Sequence, residues 1–219
     1  MTIEVYWGSG SPYAWRVLLT LEVKKIPYVS RLLEFSKEEH KTPAMFALNP
    51  RGKVPILKDG DYALSESIAI MAYLDRQYPE PSLFGRNAEE TGQVWKAISE
   101  SVSYLQPASS RIVVPVFFGT TADNTDDIRA AAPEVASELG DLERLLGKQK
   151  WLALGQFSAA DIAVYPIIEI LLRAAGKENA NPFDLGLLPF DKRYPAIEAW
   201  QQRIRALPGY EKTYPPHWR

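Results

Sequence analysis

The chain contains no cysteine. Disulfides, thiolate nucleophiles, Cys-ligated metals and any thiol–disulfide role for the protein itself are thereby excluded. It has no basic stripe either: the formal net charge is −2 and the pI about 5.8, which argues against a nucleic-acid partner. No apolar run approaches the roughly 18 residues of a membrane span. The opening residues Met1-Thr2-Ile3-Glu4-Val5 show neither the basic nor the apolar segment of a secretory leader, and a cytoplasmic location is the expectation. No repeat or low-complexity segment is present. What remains is ordinary for a globular protein, with 46% hydrophobic and 24% charged residues. A length of 219 residues allows one large domain or two small ones with a sizeable core.

The most informative stretch is 49–67. Asn49-Pro50-Arg51-Gly52 punctuates as a loop. Residues 53–58 read as a short strand, Asp59-Gly60 as a turn, and Tyr62-Ala63-Leu64 as the antiparallel return. Ser65-Glu66-Ser67 then opens a helical pattern. Pro55 has no N–H, so within a strand it belongs at an edge. A cis bond before it would turn the chain and leave the backbone of Val54 unpaired toward solvent. Such an edge can pair with an extended peptide, and a helix start nearby offers N–H groups to a carboxylate. Together they suit a short acidic peptide. An ordinary hairpin followed by a capped helix accounts for the same residues.

Taken in order, residues 2–7 alternate Ile3 and Val5 against Glu4 as a strand. Gly8-Ser9-Gly10 breaks it, and Ser11-Pro12 reads as N-cap and first position of a helix carrying Val17, Leu18 and Leu21. Pro27 stops that helix and 28–33 forms a second strand, giving a parallel β-α-β unit. Residues 37–48 form a polar, weakly helical link, and a helix is expected over 65–77. The Pro- and Gly-rich residues after 77 mark a boundary. The pattern therefore predicts a β-α-β-α-β-β-α domain over 1–78, a linker over 79–87 and an all-helical domain over 88–219. In the latter, a long helical run over 88–116 should be kinked or divided by Pro107 and Pro115. A loop at 120–126 precedes a helix running from Asp127 or Pro133 to Leu146. Further helices are expected at 158–175 and 194–206, with an irregular tail from Pro208.

Three motifs at these separations carry a family resemblance. They are Ser11-Pro12-Tyr13-Ala14-Trp15-Arg16-Val17, Asn49 to Pro55 followed by Ser65-Glu66-Ser67, and Gly155-Gln156-Phe157-Ser158-Ala159-Ala160-Asp161-Ile162. Over essentially its whole length the chain resembles the cytosolic glutathione S-transferases of the serine type, with a zeta-, theta- or tau-like N-terminal motif. The resemblance implies a thioredoxin-like N-terminal domain followed by an all-helical one. It implies an enzyme of detoxification that conjugates the glutathione thiolate to small electrophiles, with glutathione as cosubstrate, no metal, and a homodimer.

The resemblance also implies roles for residues. Ser11 would donate a hydrogen bond to the glutathione sulfur and favour its thiolate, assisted by the helix N-terminus. Ser9 and Tyr6 are competing donors. Neither His40 nor His217 is near Ser11 in sequence. Val54 would pair its backbone with the cysteinyl part of glutathione, with Pro55 cis, while Glu66 and Ser67 take the γ-glutamyl end. Lys53, His40 and Lys41 are alternatives for the glycine carboxylate. Ser158 and Asp161 have the spacing of a capping box, with Asp in place of Glu, and are assigned to folding. Pro166 implies a kink in the helix they start.

An electrophile pocket is expected between the two domains, lined by Tyr13, Tyr104, Arg111 and Phe117, with Gln106, Val114 and Phe118 beside them. There Arg111 would favour anionic or carbonyl-bearing substrates. Other enzymatic readings share the site: isomerisation of cis-alkenoic acids or dehalogenation as in the zeta class, and reductive aryl-ether cleavage. Pro12-Tyr13 departs from the Ser-Cys pair usual in the zeta class. A non-enzymatic glutathione-fold binding domain is the remaining alternative.

Overall fold

The computed structural model describes residues 2–219. The chain forms two compact units, Met1–Leu83 together with Arg205–Arg219, and Phe84–Ile204. The first unit is built on a four-stranded sheet of order β2-β1-β3-β4. Central β1 (Ile3–Gly8) runs parallel to β2 (Tyr28–Leu33) and antiparallel to β3 (Ile56–Asp59). β3 returns through Gly60, at φ +61, into β4 (Tyr62–Ser65). Alternation along β1 buries Ile3, Val5 and Trp7 on one face. They share one core with Val17, Leu18 and Leu21 of α1 (Pro12–Val23) and Ile70 and Leu74 of α3 (Ser67–Gln77). Glu4 and Tyr6 stand at the intervening positions, half-buried.

Local departures from the expected boundaries have simple causes. β3 starts at Ile56 rather than Lys53, after a cis Val54-Pro55 bond. α3 starts at Ser67 rather than Ser65, because Ser65 still pairs with Ile56 and Glu66 adopts φ +72 between strand and helix. The link before the hairpin is more ordered than expected. Two single helical turns, Phe35–Lys37 and Glu39–Lys41, lead into α2 (Pro43–Leu48). Lys24, with no exposed side-chain surface, pairs with Asp75 of α3 at 2.6 Å. Its ammonium also donates to the Pro81 carbonyl at 2.6 Å, and the Leu83 N–H donates to Asp75 at 2.9 Å. One buried ion pair thus fastens residues 81–83 to the sheet's helices.

The second unit holds α4 (Ala88–Glu100), α5 (Gln106–Phe118), α6 (Thr125–Leu146), α7 (Ala159–Ala175), α8 (Phe190–Arg193) and nearly all of α9 (Pro195–Arg205). The expected division of 88–116 falls at a π-helical turn, Ser101–Leu105, where the Gln106 N–H bonds to the Ser101 carbonyl. Pro107, second in α5, has no N–H to give to residue 103 and its ring opposes that carbonyl, so the ladder widens just upstream. Pro115, Pro133 and Pro166 lie within continuous helices, so the expected division at Pro115 does not occur. α6 begins earlier than expected, at Thr125, after a helical turn at Ala122–Asn124 in place of a plain loop.

α7 is buried along most of its length. The capping box between Ser158 and Asp161 is formed. Asp161 accepts the Ser158 N–H at 2.9 Å and the Ser158 hydroxyl at 3.0 Å, and also the Leu152 N–H at 3.0 Å and the Trp200 indole at 2.8 Å. Burial pushes its carboxyl above the usual range, and the four donors pull it back. Glu143 of α6 accepts the N–H groups of Ala196 and Ile197 at 2.9 and 3.0 Å, closing the start of α9. The tail, expected with the helical domain, belongs to the first unit. There the buried Trp15 meets Tyr210, Tyr214 and Trp218, and donates its indole N–H to Thr213 of α10 (Tyr210–Thr213) at 2.9 Å.

Candidate functional site

Gly8 to Ser11 is a β-turn closed by the Ser11 N–H on the Gly8 carbonyl at 3.1 Å, with Gly10 at φ +82. Ser11 then caps α1, its Oγ accepting the Ala14 N–H at 3.2 Å, and Pro12 fixes the first turn. A hydroxyl that accepts one hydrogen bond still has its hydrogen to donate, so Ser11 can serve an anion at the helix start. Ser9, the neighbouring candidate, has its Oγ 2.5 Å from Nδ1 of His217. Sequence separation hid this contact. Tyr6 is half-buried in β1, opposite Arg31 and Ile56.

The second group of candidates lies where β3, β4 and α3 meet. Asn49, buried, knits the loop before Val54: its amide donates to the Lys53 carbonyl at 2.7 Å and its side-chain oxygen accepts the Arg51 N–H at 3.1 Å. Neither sheet ladder includes Val54, which leaves it beyond the paired part of β3. Pro55 is buried and Val54 half-buried. Glu66 has a positive φ, a conformation that costs about 1–3 kcal/mol for a residue with a side chain. Its side chain is 74% exposed and lies 4.0 Å from Arg51. It makes no capping bond to α3, so the first N–H groups of that helix are left to other partners. Ser67 is buried, and its hydroxyl accepts from Nη1 of Arg16 at 3.4 Å.

Arg16, 2% exposed, stands behind the start of α3. Burial lowers its guanidinium to about 10, opposed by Tyr13, over whose ring it sits at 5.3 Å. It remains charged at neutral pH and puts a cation behind the start of α3. Its place in the Ser11 motif was visible, but its reach to Ser67 was not.

The alternatives for a second carboxylate differ in commitment. Lys41 is exposed and paired with Glu38 at 2.7 Å, which lowers the Glu38 carboxyl. His40 meets Phe35 edge-on at 5.0 Å and its Nδ1 is buried without a partner. Phe35 in turn covers Gly8, where an added Cβ would come within 2.1 Å of its ring. His40 is therefore one ring away from the end of β1. Lys53 is exposed.

In the helical unit the proposed lining residues do not form one group. Tyr104, 60% exposed, borders cavities of about 510 and 350 Å³. Arg111 borders the smaller one. Arg111 is engaged by two carboxylates of α6, Asp127 and Glu134, each at 2.7 Å, which raise it further. These pairs tie α5 to α6. Phe117 borders neither cavity and lies under the Lys177 ammonium at 5.2 Å. Among the described residues no cluster of metal-ligating side chains occurs, and no helix is long and apolar enough to cross a membrane.

Residues 10–77 match the family model for the N-terminal domain of glutathione S-transferases, and residues 105–208 match that for the C-terminal domain. The chain belongs to the glutathione S-transferase family. Glutathione S-transferase A of Pleuronectes platessa is 30% identical over 99% of this chain and 92% of its own length. Glutathione S-transferase F9 of Arabidopsis thaliana is 29% identical over 97% and 96%. The crystal structure of a glutathione S-transferase from the Antarctic clam Laternula elliptica superimposes with a TM-score of 0.82 at 32% identity, covering 100% of this chain and 94% of that one. Within the glutathione S-transferase frame, the Ser11, Val54 and Glu66 groups all fall inside the matched N-terminal segment, whereas His217 lies beyond both matched segments.

Proposed function

We propose that this protein is a serine-type glutathione S-transferase in which the Ser11 hydroxyl holds the glutathione sulfur as thiolate for attack on a small electrophile. The observation that carries the reading is the arrangement of Ser11: its oxygen is held by the Ala14 N–H at the head of a twelve-residue helix, leaving its hydrogen to donate. A thiol of pKa near 8.5 is only a few per cent ionised at neutral pH, and one donor plus a helix N-terminus lowers that value. Ser11, unlike Ser9, is the N-cap of α1, so the helix N-terminus acts on the same anion, which favours Ser11. The unladdered backbone at Val54, after which Pro55 follows in cis, suits the cysteinyl part of the tripeptide. The open start of α3, with Glu66 and Ser67, suits the γ-glutamyl ammonium and carboxylate. Lys53, Lys41 and His40 are the alternatives for the glycine carboxylate. A homodimer in the cytoplasm completes the reading.

The test is a pH–rate profile with the bound thiolate followed by ultraviolet absorbance. Ser11→Ala removes one oriented donor, worth about 2–4 kcal/mol toward an anion. Because backbone N–H groups also act, the lower end is expected, or roughly 30-fold in turnover at pH 7. Glutathione affinity should hardly change, and activity should partly recover at pH 9. Ser11→Ala with wild-type turnover and thiol pKa, beside losses in Ser9→Ala or Tyr6→Phe, would transfer the role to one of those residues.

A further inference from the structure

The Ser9–His217 contact joins residues 208 positions apart, and it is one part of a larger seat. Ser9 and Gly10 are the two central residues of the turn that delivers Ser11. The tail covers both. His217 holds the Ser9 side chain, and a Cβ added at Gly10 would come within 2.8 Å of the His217 ring and 3.4 Å of the Trp218 indole nitrogen. The tail is itself anchored. Trp218 stands edge-on to Trp15 of α1 at 5.5 Å and to Tyr214 at 6.1 Å, and Pro216–Trp218 forms a helical turn. Gly10, at φ +82, is the permissive position of this turn, and the tail, anchored on Trp15, lies against it and Ser9 from outside.

We propose that His217 is a positioning residue: by holding Ser9 it fixes the β1–α1 turn, and so the direction in which Ser11 offers its hydroxyl to the glutathione sulfur. This rests on Ser11 being the donor. His217 acts through Ser9 and does not touch the sulfur. The proposal follows from the sensitivity of oriented catalysis, in which a misplacement of about 1 Å can cost about a hundredfold.

The experiment compares His217→Ala, His217→Asn, Ser9→Ala and the double alanine variant. It measures the thiol pKa of bound glutathione, kcat and KM separately, and the melting midpoint. His217→Ala should raise the thiol pKa and lower kcat at pH 7 by about tenfold, with KM for glutathione within about twofold. His217→Asn, which keeps a polar atom near the Nδ1 position, should restore most of the loss. Ser9→Ala removes the same bond without touching the tail and should match His217→Ala, and the double variant should be no worse than either single one. An unchanged thiol pKa and kcat in Ser9→Ala and His217→Ala, or fully additive losses in the double variant, would overturn the proposal. If Ser11→Ala is impaired while those two are not, only this inference fails. If Ser11→Ala is itself unimpaired, the donor assignment fails first.

Discussion

Glu66 and Ser67 hold adjacent backbone positions but contribute differently. Glu66 is exposed beside Arg51 and accessible to an ammonium, whereas Ser67 is buried, in contact with Arg16 and at the start of α3. Glu66→Ala or Ser67→Ala should each weaken glutathione by about 1.5–3 kcal/mol, the range for hydrogen bonds to charged groups, as read by calorimetry. Unchanged affinity in both would remove the γ-glutamyl assignment. Much of this was legible in the sequence because it is local: Ser11 with Pro12, Val54 with Pro55, and Glu66 with Ser67 are neighbours whose backbone chemistry is set by their own types. Arg16 on Ser67, His217 on Ser9 and Arg111 between Asp127 and Glu134 were not legible, since each partner arrives from another element and no period or spacing encodes it.

Among the elements, apolar periodicity identifies the long helices in type, and their ends depart from the pattern wherever a backbone device intervenes. The widened turn before Pro107 and the positive φ at Glu66 are two such devices. The cap of α7 was legible as a spacing, but its weight was not. A capping substitution costs about 1 kcal/mol. Asp161→Ala would also strand the Leu152 N–H and the Trp200 indole in the core. Its expected cost is therefore at least about 3 kcal/mol, measured by denaturant unfolding, with glutathione affinity of the folded fraction unchanged. A loss near 1 kcal/mol would mean that those two groups find new partners. Glu143→Ala should likewise loosen the start of α9, and hydrogen exchange at Ala196 and Ile197 should rise while α7 stays protected.

For the whole molecule, two features bear on integrity. Lys24→Met removes the buried ammonium from the partly buried Asp75 carboxylate and from the Pro81 carbonyl and should cost about 1–3 kcal/mol. A melting midpoint equal to wild type would show that the pair contributes nothing net. The proposed homodimer would use α3 and the start of α4, where Trp95 is partly exposed. Light scattering across concentrations checks it, and a constant monomer mass refutes it. The backbone at Glu66 has a last consequence, for selection. Glycine there would relieve the about 1–3 kcal/mol held in its φ, less about 0.4–1 for the freer unfolded chain. A library screened for heat tolerance alone should thus drift toward glycine at position 66, and one screened for conjugating activity should resist it. The same codon would be pulled in opposite directions by the two screens, and sequencing both pools would show it.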